Sequence, residues 1–96
     1  MGVREAKVEK LLHDEVTKRG GTTRKWVSPG RDGVPDRIVF LNRQVYFVEV
    51  KTTSGELSIR QRREIEELSG HGADVTTVYG AEGVYDFIRR VVDTHG

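Results

Sequence analysis

Two apolar runs separated by only two residues constrain this chain more than any other feature. Residues 36–41 (DRIVFL) and 44–50 (QVYFVEV) have the length and the β-branched and aromatic content of strands. Asn42 and Arg43 between them are the length of a tight hairpin turn. Such a turn sets Leu41 opposite Gln44, so Ile38 faces Phe47 and Asp36 faces Glu49. Opposed side chains share one face of a sheet, with Cβ atoms about 4.5–5.5 Å apart. Lys51, two residues beyond Glu49, points to that same face. Two carboxylates and an ammonium are therefore expected together at one end of a hairpin.

Both faces of this hairpin are apolar. Ile38, Phe40, Val45 and Phe47 lie on one, and Val39, Leu41, Tyr46, Val48 and Val50 on the other, so helices are expected over both sides. The flanking sequence supplies them. Residues 4–19 carry Val8, Leu11, Leu12 and Val16 at helical spacing and end at Gly20-Gly21. Residues 22–28 read as a short strand, and the SPGRDGVP segment after it as a loop. A second helix opens at Leu57-Ser58 and runs to about Ser69, with Ser58 and Gln61 at capping-box spacing. Residues 74–79 form a further strand, and residues 82–93 a last helix with Val84, Phe87, Ile88 and Val91 on one face. The order is α-β-β-β-α-β-α, an α/β fold, and 96 residues make one domain, 1–96.

Composition narrows the chemistry. With no cysteine there are no disulfides or thiolate metal sites, which fits an intracellular, cytoplasmic setting. No apolar run approaches the ~20 residues that span a bilayer, and Arg4, Glu5, Lys7 and Glu9 occupy the place of a signal peptide's apolar segment. The net charge of +1 is unevenly spread: residues 1–63 carry +6 and residues 64–96 carry −5. A basic half suits contact with phosphates, although an ordinary solvated surface gives the same count.

Like charges directly opposite one another destabilise a sheet, so Asp36 and Glu49 need a proton, a cationic partner or a metal ion. Two readings stay open from spacing alone. One is an Asp36–Lys51–Glu49 ion-pair cluster; the other is a hard-cation site made of Asp36, Glu49 and a backbone carbonyl such as that of Val50. Oxygen donors without sulfur favour Mg²⁺ or Mn²⁺.

The segment Gly33-Val34-Pro35-Asp36, followed thirteen residues later by Glu49-Val50-Lys51, resembles the PD-(D/E)xK nuclease signature. The wider text, KWVSPGRDGVPDRIVF with FVEVKTTSGELSIRQ, is similar to the VRR-NUC branch of that superfamily, whose small stand-alone members occur in phages. The resemblance implies a restriction-endonuclease-like αβββαβ core, a mixed sheet with helices on both faces. It also implies a metal-dependent endonuclease that hydrolyses phosphodiester bonds of structured DNA, such as four-way (Holliday) junctions, as a homodimer. Asp36 and Glu49 would hold Mg²⁺ or Mn²⁺ with the Val50 carbonyl, and Lys51 would act on the attacking water or the phosphate. Gln61 matches the family's helix glutamine; it fits both that role and the capping box. The family's first-helix acid falls on Glu5, which lies between Leu12 and Val16 on a helical wheel, with Glu9 at the edge of that stripe as the alternative.

Arg24, Lys25, Arg31, Arg37, Arg60 and Arg63 are candidates to hold DNA phosphates, as are Arg43 and Arg62. Trp26 is either core or a base-stacking platform, and Tyr85 and Val92 on the last helix offer a dimer seam. His13, His71 and His95 have no metal-ligand spacing. The rival functions are a less selective flap or single-strand nuclease, a non-cleaving DNA-binding module of the same fold, and an enzyme acting on RNA.

Overall fold

Asn42 and Arg43 both adopt left-handed backbone, with φ of 54° and 64°, the two positive angles a two-residue type I′ turn requires. In this computed structural model, which describes residues 2–95 and the side-chain surroundings of residues 4–93, that turn joins β2 (Arg37–Leu41) to β3 (Gln44–Lys51). The antiparallel register runs from Leu41 opposite Gln44 to Arg37 opposite Val48. The remaining elements are α1 (Gly2–Lys18), β1 (Thr22–Lys25), α2 (Ile59–Gly70), β4 (Val75–Tyr79) and α3 (Gly80–His95). They form one four-stranded mixed sheet in the order β1-β2-β3-β4. β1 pairs antiparallel with β2, while β4 runs parallel to β3, as a crossover through α2 demands.

Several boundaries differ from the sequence reading. β1 stops at Lys25 rather than residue 28, though the Trp26 amide still donates to the Asp36 carbonyl at 3.0 Å. α3 starts directly after β4 at Gly80, whose φ of 66° turns the chain without a loop.

Alternation along the strands separates two unequal faces. Val39, Leu41, Tyr46, Val48, Val50 and Val78 are buried and point to one side, where they meet Leu12 and Val16 of α1 and Val84, Phe87, Ile88 and Val91 of α3. Tyr46 and Phe87 pack edge to face, their centroids 5.4 Å apart and planes at 88°. The other face is covered only at one end, where Gln61 of α2 reaches β3. Along the rest of it Phe40 is 38% exposed and Val45 47% exposed, with Trp26 against Phe47 at 5.3 Å. Helices do lie on both faces, but the second face is largely open. α2 buries no apolar side chain; its buried residue is Glu64. It is too polar to cover a sheet.

This asymmetry predicts unequal costs of truncation. Phe87→Ala, in the closed core, should lose about 3–5 kcal/mol, a large share of the ~5–15 kcal/mol that holds a domain together. Phe40→Ala, on the open face, should lose about 1 kcal/mol or less. Urea unfolding of both variants checks the pair; equal losses would contradict the one-sided core.

Candidate active site

The even-numbered residues of β3 turn their amides toward β2, but β2 ends at Arg37 and leaves Val50 without a ladder partner on that side. Asp36 fills the gap: its Oδ2 accepts from the Val50 amide at 2.8 Å. A strand residue's N–H and C=O point to the same edge, so the Val50 carbonyl is directed to the side where the Asp36 carboxylate lies. Glu49 is next along β3 and only 2% exposed. The Asp36 carboxylate is close enough to raise the hold of Glu49 on a proton. Glu49 is pushed up to about 8, first by burial and then by the Asp36 charge. Asp36 is also raised, chiefly by burial, against the pull of the Val50 amide.

Three further side chains complete the site. Lys51 Nζ stands 3.9 Å from Glu49 Oε2, and its side chain is 12% exposed. Gln61 Nε2 donates to the same Glu49 oxygen at 2.8 Å. The two sequence readings of Gln61 turn out to be compatible. Its side-chain oxygen accepts from the Ser58 backbone amide at 2.8 Å and its backbone amide donates to Ser58 Oγ at 3.1 Å, closing the capping box. One end of the side chain caps α2 while the other grips Glu49.

On α1 the two candidate acids separate. Glu5 acts through space on both Asp36 and Glu49. Glu9 acts on Asp36 alone, and it is held by Arg37 Nε at 2.7 Å and Lys25 Nζ at 3.1 Å. Glu9 is thus committed to Arg37 and Lys25, while Glu5 is the α1 acid whose charge reaches both carboxylates.

The preceding loop explains why the motif contains glycine and proline. Gly33 has φ of 88°, and a Cβ there would lie 2.9 Å from the Arg60 backbone. Only glycine lets the loop approach the start of α2 so closely. Pro35 is fully buried behind it, which fixes the chain's direction into Asp36. Arg31 bonds Glu64 and Glu67 at 2.9 Å each, and Arg60 pairs with Asp32. These ion pairs tie loop and helix together beside the site.

The basic residues singled out from sequence are thus distributed between two kinds of environment. Lys25, Arg31, Arg37 and Arg60 are paired with carboxylates. Arg24 donates to Thr22 Oγ1 and the Thr23 carbonyl. Arg43, Arg62 and Arg63 are exposed. Arg37 was readable as a helix-side residue, because it shares the face of Val39 and Leu41; alternation alone puts it under α1. Trp26 is half-buried against Phe47, and His13 Nδ1 lies 2.6 Å from Thr23 Oγ1. The side-chain surroundings of His95 fall outside the described residues.

No group of three or more His, Cys, Asp or Glu side chains converges to hold a metal among the described residues. The available set is two carboxylates and one carbonyl, with Glu5 adding charge from α1. All are oxygen donors, the chemistry that suits a hard divalent cation. Two carboxylates this close, one of them buried, share a site that such a cation would stabilise in its ionised form.

A family model described as the VRR-NUC domain matches residues 3–82. This chain belongs to the VRR-NUC family. Membership places it among nuclease domains, and its relatives agree. The VRR-NUC chain is 46% identical over 74 residues to "Putative nuclease p44" of Acyrthosiphon pisum secondary endosymbiont phage 1, covering 76% of this chain and 80% of that protein. A solved structure titled "VRR_NUC domain" superposes with a TM-score of 0.82 at 31% identity, over 90% of this chain and 95% of that one. The mixed sheet flanked by helices is therefore the VRR-NUC fold.

Two outcomes test the site's electrostatics and its anchor. Glu49 binds its proton more tightly folded than unfolded, since its ordinary value is 4.5 and its folded value about 8. Its contribution to stability is full below pH ~4.5 and is lost as pH climbs through ~8. In EDTA, the melting temperature should fall between pH 5 and 9, and Glu49→Gln should flatten that fall; circular dichroism reads both. Ser58→Ala should cost about 1 kcal/mol through the lost cap yet leave the Gln61–Glu49 bond intact. Gln61→Ala should cost as much and also move the Glu49 titration, which NMR of the side-chain carboxyl would detect.

Proposed function

We propose that this VRR-NUC domain is a Mg²⁺- or Mn²⁺-dependent endonuclease that cuts branched DNA as a homodimer. The observation that carries the reading is the pairing of half-buried Asp36 and buried Glu49 beside Lys51 and Gln61 at the carboxyl end of β3. Ligand sites of open α/β sheets gather at that end of the strands. Asp36, Glu49 and the Val50 carbonyl would hold the cation, which supplies Lewis acidity toward the scissile phosphate when bound.

The chain's own residues supply the rest. Lys51, already drawn to Glu49, places a positive charge where the phosphate's negative charge grows. It also offers a donor that orients the attacking water. Gln61 holds Glu49 in one rotamer through a bond made before substrate arrives, so little reorganisation is needed on binding. Glu5 adds a carboxylate on the α1 side, a group able to take a proton from the attacking water.

Selection of shape over sequence is supported by the lack, among the described residues, of an element projecting to read a DNA groove. The homodimer is supported by the open sheet face. Phe40 and Val45 stand exposed beside Ile38, Phe47 and Trp26, and the accessible surface of 6171 Å² exceeds the roughly 5,600 Å² of a compact monomer this size. A second copy of the chain is the occupant we assign to that face, in preference to α3, because Val92 packs onto the core. A two-fold pair would present two sites to two equivalent strands.

The test is cleavage of a four-way junction in Mg²⁺ or Mn²⁺. Wild type should cut the junction in preference to linear duplex, and Lys51→Ala should lose about 100-fold or more. Equal cutting of flaps and single strands would mark a less selective nuclease, RNA cutting a different substrate, and no cleavage with intact DNA binding a non-catalytic module. Light scattering should give a dimer mass that Phe40→Asp reduces to the monomer.

A further inference from the structure

Beside the carboxylate pair lies a concavity of about 250 Å³ between the start of α1, the loop after β3 and the start of α3. Arg4 and Lys7 line it from α1, Thr52, Thr53 and Ser54 from the loop, and Gly80 from α3. It adjoins the site through two segments of chain. Arg4 precedes Glu5, and Thr52 follows Lys51.

Its lining differs in kind from that of the other concavities described. The groove of about 470 Å³ along β4 and α3 sets Glu82 and Asp86 against Arg90. The hollow of about 240 Å³ under α1 contains Glu9 among its cations. One of about 190 Å³ on α2 is lined by Glu66 as well as Arg62. The hollow at Arg4 and Lys7 holds two cations and three hydroxyls and no carboxylate. Among the described residues neither cation forms an ion pair, whereas Lys25, Arg31, Arg37 and Arg60 each do. Two long cations left unneutralised around hydroxyl donors match an anion with several acceptor oxygens.

The close fit of loop and helix supports the same ligand. Gly80, whose φ of 66° favours glycine, has Thr53 Oγ1 within 2.4 Å of where a Cβ would stand, so the hydroxyl loop lies directly against the first turn of the sixteen-residue α3. The first amides of a helix have no internal partner, and they add donors to those of the side chains.

We infer that this hollow binds a backbone phosphate of the nucleic-acid strand, next to the phosphate that is cut. The inference rests on the nuclease reading above and specifies where that substrate is held. Arg4 and Lys7 clamp the phosphate and the hydroxyls of residues 52–54 complete its shell. The strand is thereby drawn across Lys51, so the scissile bond is presented to Asp36 and Glu49 in register.

The test is fluorescence anisotropy of labelled junction DNA in EDTA across a salt series, with Arg4→Ala/Lys7→Ala compared with wild type. The double variant should bind about ten-fold more weakly, and the slope of log K against log salt should shrink by about one for each lost cation. Arg89→Ala, a cation of α3 paired with Asp86, should change neither. Arg4→Lys/Lys7→Arg should restore most of the affinity. Melting curves confirm that all variants fold. Unchanged affinity and slope in a double variant, with wild-type binding intact, would overturn the subsite and leave the nuclease reading standing. If wild type neither binds nor cuts DNA, both fall.

Discussion

Everything in this structure follows from two residues held in a backbone conformation that neither favours. Asn42 and Arg43 lie in the left-handed region, which costs an arginine roughly 1–2 kcal/mol. Asparagine tolerates it better, through local side-chain hydrogen bonding, and Asn42 Nδ2 donates toward the Val91 carbonyl at 3.4 Å. The cost is offset because the turn fixes the register, and a one-residue slip would exchange the two faces of the hairpin. Val39, Tyr46 and Val48 would leave the core, and Glu49 would turn away from Asp36 into the apolar layer beneath α1 and α3. The core and the site therefore select the same register.

Asp36 occupies a junction between fold and chemistry. Its carboxylate replaces the backbone acceptor that β2 would have offered Val50 had the strand continued. The break in the ladder exposes the edge of β3 at one peptide, and the side chain that repairs it is one of the acidic pair. The loop before it runs hard against the start of α2, which accounts for Gly33 at the Arg60 backbone, and buried Pro35 leads the chain into Asp36. A short motif of glycine, proline and aspartate thus records three structural demands within four residues.

Much of this was legible from the sequence because it depends on local rules. The hairpin register came from a turn two residues long, the α3 stripe of Val84, Phe87, Ile88 and Val91 from a 3.6-residue period, and the α2 start from Ser58 and Gln61 at capping-box spacing. The VRR-NUC fold was readable from the motif text. What stayed hidden depends on contacts between distant segments. Arg31 with Glu64 and Arg37 with Glu9 join residues about thirty apart, and no periodicity reports such pairs. The open sheet face was hidden for a different reason. Apolar residues on both sides of a hairpin imply two coverings, but α2 has only half-buried Leu57, Ile65 and Leu68 near it, too few to close over Phe40 and Val45. Gln61 fitted two roles in the sequence and fills both, because an amide has a separate acceptor and donor end.

α2 is fastened by a different kind of bond from its companions. Helices α1 and α3 are seated chiefly by hydrocarbon, so dissolved ions loosen them far less. α2 rests on a cap, the Gln61–Glu49 bond, and ion pairs from Arg31 and Arg60 that are largely open to solvent. Exposed pairs weaken as the Debye length shortens, from about 10 Å at 0.1 M electrolyte to about 3 Å at 1 M. Brine would therefore slacken the arm that steadies Glu49 while leaving the rest of the molecule seated, so that the protein's most rigid and most adjustable parts meet at a single carboxylate.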